Sequence, residues 1–212
     1  MLLIDPMARV SALADIEDSV RGSRIVVAAG AVIDSFVKIK PAGGAGDVVI
    51  GAGSVINAGC VLYTGHGIRI GRNVLIAANC TLAPTNHAFA DADRPIRQQG
   101  FQPSRGGIVI EDDVWIGANC VLVDGAVIGR GSVIGAGSLV RGSLPALCLA
   151  HGSPARVRGW RGTSRTGPVP SSPGQAHGCD AIPDDGCPGG TAAACDGPAG
   201  PRVDSERPVR LA

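Results

Sequence analysis

His87 is one of four histidines in this 212-residue chain, and it stands where the sequence changes character. It opens the stretch PTNHAFADADRPIRQQGFQPSRGG, which interrupts an otherwise regular pattern. An imidazole whose ordinary pKa is about 6.5 can take and return a proton near neutrality. The bland alternative is a turn histidine with no chemistry. A second concentration of reactive type is basic: Arg141, Arg156, Arg158 and Arg161 fall between residues 141 and 161 with no Asp or Glu among them. Guanidinium groups suit phosphate, which they grip through paired N–H donors; a solvated basic end is the alternative. Asp112 and Asp113 are adjacent carboxylates, but their place in the pattern is that of a turn. The run Gly-Ala-Gly-Ser at 135–138 is not a nucleotide loop, because no Gly-Lys-Ser/Thr follows.

The elements that must position these groups follow from spacing. Aliphatic residues recur every six positions in five trios: Val27, Ile33, Ile39; Ile50, Ile56, Leu62; Ile70, Ile76, Leu82; Ile110, Ile116, Leu122; Ile128, Ile134, Val140. Neither a helix nor a simple strand has that period. One unit reads as a very short strand and a turn, with Gly supplying positive φ. Three units close one triangular turn of a solenoid whose coils bury their edges against each other. Cys60, Cys80, Cys120 and Ser138 each lie four residues after a second-place anchor, so they are expected to stack as a ladder of small inward residues rather than as a metal or redox site. Every departure from six follows the third member of a trio. All insertions therefore leave one corner, and the longest carries His87. Loops on a rigid scaffold are where function concentrates.

Composition bounds the class. Aromatic residues are 3% of the chain against 32 glycines and 45% hydrophobic residues, as a narrow, regular interior requires. A net charge of +1 gives no argument for nucleic acid or an acidic membrane. No apolar run reaches the roughly 20 residues of a membrane span, and the start MLLIDPMARV does not read as a signal peptide. The seven cysteines are expected to be free thiols in a cytoplasmic protein.

PTNHAF, PIRQQGF, GGIVIEDDVWIGANCVLVDGAVIG, GAGSLVRGSLP and HGSPARVRGWR, in that order, resemble the hexapeptide-repeat acyltransferases. These are all-β, left-handed parallel β-helices, and the resemblance covers about residues 25–161. It is nearest the enzymes that O-acetylate sugars of O-antigen, capsule or exopolysaccharide, beside the galactoside and maltose acetyltransferases. It implies acetyl-CoA as co-substrate, no metal, and a homotrimer with active sites between subunits. A sugar, nucleotide sugar or lipid-linked oligosaccharide would be the acceptor. His87 matches the family's general base, Asn57 an acceptor-binding asparagine, and Asn86 is the neighbour of the base. The short carboxylate-bearing segment that follows that asparagine in galactoside-type relatives is replaced here by Tyr63, Thr64, Gly65 and His66. Trp115 matches a tryptophan near the cofactor and the subunit contact. Gly135, Ala136 and Ser138 would let pantetheine approach the backbone, and Arg141, Arg156 and Arg161 would meet the phosphates of CoA. Where relatives carry Thr-Lys this chain has Arg141-Gly142.

The expected organisation is a lead-in or partial coil over 1–24, a β-helix over 25–161 with a loop at 88–107, and a disordered Pro/Gly/Ala-rich tail over 162–212. Eight of the 15 prolines fall in that tail, and its Cys179, Cys187 and Cys195 do not have the spacing of a common zinc finger. Three other readings stand beside the first: an N-acetyltransferase of an amino sugar or antibiotic, a zinc carbonic anhydrase-like protein, and a non-catalytic scaffold. The zinc enzyme would need three histidine ligands, and the five trios from Val27 to Val140 hold only His66 and His87.

Overall fold

A computed structural model describes residues 1–162; the expected tail and its three cysteines lie outside the described residues. The strands follow the period-six anchors. The first coil is β1 (Leu2–Ile4), β2 (Arg9–Val10) and β3 (Asp15–Ile16); the second is β4 (Ile25–Val27), β5 (Val32–Ile33) and β6 (Lys38–Lys40). The third is β7 (Val48–Ile50), β8 (Val55–Ile56) and β9 (Val61–Tyr63), and the fourth β10 (Ile68–Ile70), β11 (Leu75–Ile76) and β12 (Thr81–Ala83). After the long loop, with its one turn of helix α1 (Ile96–Gln99), come β13 (Ile108–Ile110), β14 (Trp115–Ile116) and β15 (Val121–Val123). The sixth coil is β16 (Ala126–Ile128), β17 (Val133–Ile134) and β18 (Leu139–Val140). A seventh begins with β19 (Ser143–Leu144) and β20 (Cys148–Gly152), and β21 (Ala155–Trp160) folds back on β20.

These strands form three parallel sheets, one per side of a β-helix. The first sheet runs β1-β4-β7-β10-β13-β16-β19, the second β2-β5-β8-β11-β14-β17-β20-β21 and the third β18-β15-β12-β9-β6-β3. Among the described strands only the β20–β21 pair is antiparallel. All fifteen expected anchors are buried, at 1% relative exposure or less. They are aliphatic because a triangular interior this narrow has no room for rings, so dispersion contacts between stacked Ile, Val and Leu side chains fill it. The beat also runs through Ile4, Val10 and Ile16, and residues 1–16 make a circuit of three strands. Its β1 side chains stay exposed at the end of the prism.

Two glycine places in the repeat have different causes. The glycine straight after an anchor sits against the next coil: a Cβ on Gly117 would lie 2.6 Å from the backbone nitrogen of Ala136. The residue two further on takes the left-handed conformation, as at Gly137 with φ 69° and nothing within 4 Å of an added Cβ. Asn73, Asn79, Asp113 and Asn119 hold that second place elsewhere, with φ between 54° and 59°. Asn and Asp tolerate this region better than most side chains.

Cys60, Cys80, Cys120 and Ser138 stack on one wall as expected, buried in the core. The thiols of Cys60, Cys80 and Cys120 donate to the carbonyls of Ala77, Gly117 and Gly135, each at 3.2 Å. Ser138 Oγ continues the ladder, donating to Gly135 O and accepting from Gly152 N at 3.1 Å. The contact with Cys80 and then burial push the Cys120 thiol upward, away from the reactive thiolate.

Candidate functional site

The corner between the third and first sheets carries the long loop. Its root is a two-residue antiparallel pairing: Ala88 N donates to Gly100 O at 3.1 Å and Gln102 N to Asn86 O at 2.8 Å. His87 lies opposite Phe101 in this ladder, with ring centroids 4.7 Å apart and 36° between planes. The His87 ring makes no hydrogen bond among the described residues, and His87 is exposed, so its ring nitrogens are open to a ligand. Further out, Gln99 holds the loop together. Its Nε2 donates to the carbonyls of Asp91 and Arg94, both at 2.8 Å, and its Oε1 accepts from Asp91 N.

The return of the loop to the prism is organised by a residue that the sequence reading did not single out. Asp124 is 2% exposed, and its carboxylate accepts the backbone N–H groups of Arg105 at 2.7 Å and Gly107 at 2.8 Å. Its Oδ2 also lies 3.2 Å from His66 Nδ1. His66 N in turn donates to Pro84 O, at the other root. Asp124 thus ties both ends of the insertion to one buried group. The signal available was slight: Asp124 begins the tightest turn at this corner, two residues before the next strand.

Asn57 does not share this corner. It follows Ile56 at the corner between the second and third sheets, where its Nδ2 donates to Ile76 O at 2.8 Å. Asn86 is beside His87, exposed, and among the described residues pairs only through its backbone. Within one chain the structure therefore joins His87 to Asn86 and Phe101, and leaves Asn57 on a different edge of the prism.

The remaining expected residues cluster toward the C-terminal coils. Trp115 projects from the outer side of the second sheet, 54% exposed. With Leu75, Val133, Asn73, Asp113 and Arg161 it lines a groove of about 260 Å³. Arg161 reaches that groove held by Asp113 Oδ2 at 2.8 Å and Gly131 O at 3.2 Å. Asp113 is thus a turn residue that positions an arginine, and Asp112 caps the turn below by accepting Arg72 N at 2.7 Å. Gly135 and Ala136 lie on the corner between the second and third sheets with Ser138 buried behind them. Arg141 follows β18 at the loop corner, and Arg156 is exposed on β21. The groove brings together Trp115 and Arg161; Arg141 and Arg156 stand apart from it. Among the described residues no group of three or more His, Cys, Asp or Glu is arranged to hold a metal ion, and no helix is long and apolar enough to cross a membrane.

Comparison with known proteins bears on this arrangement. Residues 107–142 match the family described as bacterial transferase hexapeptide (six repeats), and residues 47–84 match the hexapeptide repeat of succinyl-transferase. A probable acetyltransferase of Mycobacterium tuberculosis is 38% identical over 110 residues, 52% of this chain and 34% of that protein. The galactoside O-acetyltransferase of Escherichia coli is 38% identical over 111 residues, 52% of this chain and 53% of that protein. A putative lipopolysaccharide biosynthesis O-acetyl transferase of the same organism is 28% identical over 107 residues, 48% of this chain and 55% of that protein. The chain thus spans about half or less of the length of the curated relatives it matches. Among solved structures, a hexapeptide-repeat acetyltransferase of Vibrio cholerae complexed with acetyl-CoA superposes with a TM-score of 0.51. It is 35% identical, over 58% of this chain and 65% of that one. An N-acyltransferase of Bacillus cereus, in complex with dTDP-4-amino-4,6-dideoxyglucose and coenzyme A, gives a TM-score of 0.63. It is 25% identical, over 76% of this chain and 83% of that one.

Proposed function

Residues 47–84 and 107–142 match hexapeptide repeats of transferases, and on that premise we propose that the chain is an acetyl-CoA-dependent O-acetyltransferase of a sugar hydroxyl, with His87 as general base. One observation carries this reading: His87 stands exposed, opposite Phe101, at the root of the longest corner loop of a hexapeptide coil. The matches to a galactoside O-acetyltransferase and to a lipopolysaccharide O-acetyl transferase support a sugar of a surface polysaccharide as acceptor.

The chemistry is direct transfer. An alcohol is a poor nucleophile until its proton is removed as it attacks. His87 accepts that proton while the hydroxyl oxygen bonds to the thioester carbonyl carbon. Backbone N–H groups stabilise the tetrahedral oxyanion, an interaction worth about 3–4 kcal/mol of barrier elsewhere. Collapse breaks the carbon–sulfur bond, and the imidazolium returns its proton to the departing thiolate. No covalent enzyme intermediate is needed: the Cys60, Cys80 and Cys120 thiols are buried in the core, away from the loop.

Acetyl-CoA would lie along the C-terminal coils, its phosphates met by Arg161 and by Arg141 and Arg156, its adenine or pantetheine against Trp115. The thin pantetheine arm suits the corner at Gly135 and Ala136, where little side chain intervenes. The enzyme would act in the cytoplasm as a homotrimer. Two features support a second copy: Asn57 and His87 occupy different edges of one chain, and all three phenylalanines, Phe36, Phe89 and Phe101, are exposed in it. Acylation of a sugar amine on the same scaffold is the second reading, favoured by the likeness to the Bacillus cereus N-acyltransferase.

The test is thiol release from acetyl-CoA across a panel of sugars and amino sugars, with wild type beside His87→Ala. Loss of about 10²–10⁴-fold in kcat, with CoA binding intact, is expected. Equal rates in the two proteins would remove His87 from the mechanism.

A further inference from the structure

The second coil carries an insertion of its own at the corner that bears His87. Ile39 and Ile50 stand eleven residues apart where the beat is six, and the extra length is the run Pro41-Ala42-Gly43-Gly44-Ala45-Gly46. It holds no titratable or nucleophilic side chain. Its backbone lies against the corner of the third coil: Gly65 N donates to Ala42 O at 2.8 Å, and Gly46 N to Gly65 O at 2.9 Å. A Cβ on Gly44 would stand 2.3 Å from Gly65 O, and one on Gly46 2.2 Å from Gly67 N. Two backbones approach too closely there for any residue but glycine.

Gly43 reaches a coil further. The three atoms nearest to a Cβ added on it all belong to Thr85 of the fourth coil, Cγ2 at 2.5 Å and Cβ and Oγ1 at 3.2 Å. Thr85 Oγ1 donates to Gly43 O at 3.3 Å, across 42 residues of sequence. Thr85 stands two residues before His87. Pro84, just before it, is buried, and its carbonyl accepts His66 N at 2.9 Å. A β-branched side chain is stiff at χ1, so Thr85 transmits what Gly43 does to it. The chain leaving the prism is thus clamped at Pro84 by the third coil and at Thr85 by the second. Asn86 and His87 beyond it are exposed.

We infer that the glycine-rich run is a buttress that sets the direction in which the chain carries His87 out of the prism, and that Thr85 is the positioning residue through which it acts. This rests on the reading of His87 as general base. Gly43 serves because it has no side chain. A Cβ at 2.5 Å must move out to an ordinary contact of 3.4 Å or more, a shift of roughly 1 Å, and misplacement on that scale can cost about 10²-fold in rate. Thr85 cannot swing aside without giving up its bond to Gly43 O.

A double-mutant cycle tests the inference. Gly43→Ala is made in wild type and in Thr85→Ser, which deletes Cγ2, the atom in closest contact, and keeps the hydroxyl. The strain of φ 78° at residue 43 is common to both backgrounds, so a difference between them reports the contact. In wild type the change is expected to lower kcat about tenfold or more, with KM for acetyl-CoA unaltered. It should also speed hydrogen exchange at the Ala88 and Gln102 amides, which close the root of the loop. In Thr85→Ser both effects largely vanish. If Gly43→Ala melts well below wild type, Thr85→Val replaces it, keeping the shape and removing only the bond to Gly43 O, with the same changes expected on a smaller scale. Equal losses in the two backgrounds would overturn the role of Thr85, and wild-type kcat and exchange in Gly43→Ala would overturn the buttress while His87 stands. Thiol release as fast in His87→Ala as in wild type would instead overturn the base reading, and exchange at Ala88 and Gln102 would still judge the buttress.

Discussion

Asp124 and His66, 58 residues apart in sequence, meet at 3.2 Å between Oδ2 and Nδ1, and the same carboxylate holds the backbone N–H groups of Arg105 and Gly107. One buried side chain thereby closes the loop that presents His87.

Removing that acceptor leaves buried donors unpaired, at about 1–3 kcal/mol each. Asp124→Ala is expected to lower the melting temperature and to expose residues 88–107 to limited proteolysis, with cleavage mapped by mass spectrometry. On the proposed reading, activity falls through kcat, because His87 is no longer held. Wild-type protease resistance in the variant would mean that the loop is anchored elsewhere.

The two repeat positions that favour glycine predict opposite tolerances. Gly117→Ala drives a Cβ to 2.6 Å from the Ala136 nitrogen, so the coils must part. Overpacking of this kind costs about 1–3 kcal/mol. Gly137→Asn keeps a residue that accepts φ 69° and meets no atom within 4 Å. Denaturant or thermal melts of the pair are expected to show a clear loss for the first and little change for the second.

Acid stability has a local handle at Asp47. The Arg24 guanidinium bonds its Oδ2 at 2.7 and 2.9 Å, and the Arg24 N–H its Oδ1 at 2.8 Å. The side-chain bond to Arg24 chiefly, and the backbone bond next, hold its carboxyl below the usual 3.8. A carboxyl whose folded pKa is depressed contributes stability that is complete above the unfolded value and is lost as pH falls through the folded one. Wild type is therefore expected to lose stability below about pH 4 more steeply than Asp47→Asn, by a fraction of a kcal/mol for so exposed a pair. Melting temperatures of both proteins between pH 7 and pH 3 give the comparison.

Much of this architecture was legible before any coordinates. The anchors from Val27 to Val140 repeat locally, and a six-residue unit can do little but turn every strand, so period, inward face and Cys60–Ser138 ladder could all be read. Ile4, Val10 and Ile16 carry the same beat without flanking Gly turns, and that is why the first coil was hard to see. The candidate site was legible in part. His87 was marked by the interruption it opens, and Trp115 and Arg161 by their types. Asp124 was not, because nothing local distinguishes a corner aspartate from a solvated one.

The division is physical. Chain-local sterics and the need to bury aliphatics decide the coil, and both are written in residue type and spacing. Which corner residues face one another depends on how many coils separate them and where each insertion returns. Only the stacked prism joins His66 to Asp124, sets Asp113 beneath Arg161, and brings Gly43 against Thr85 while leaving Asn57 and His87 on different edges.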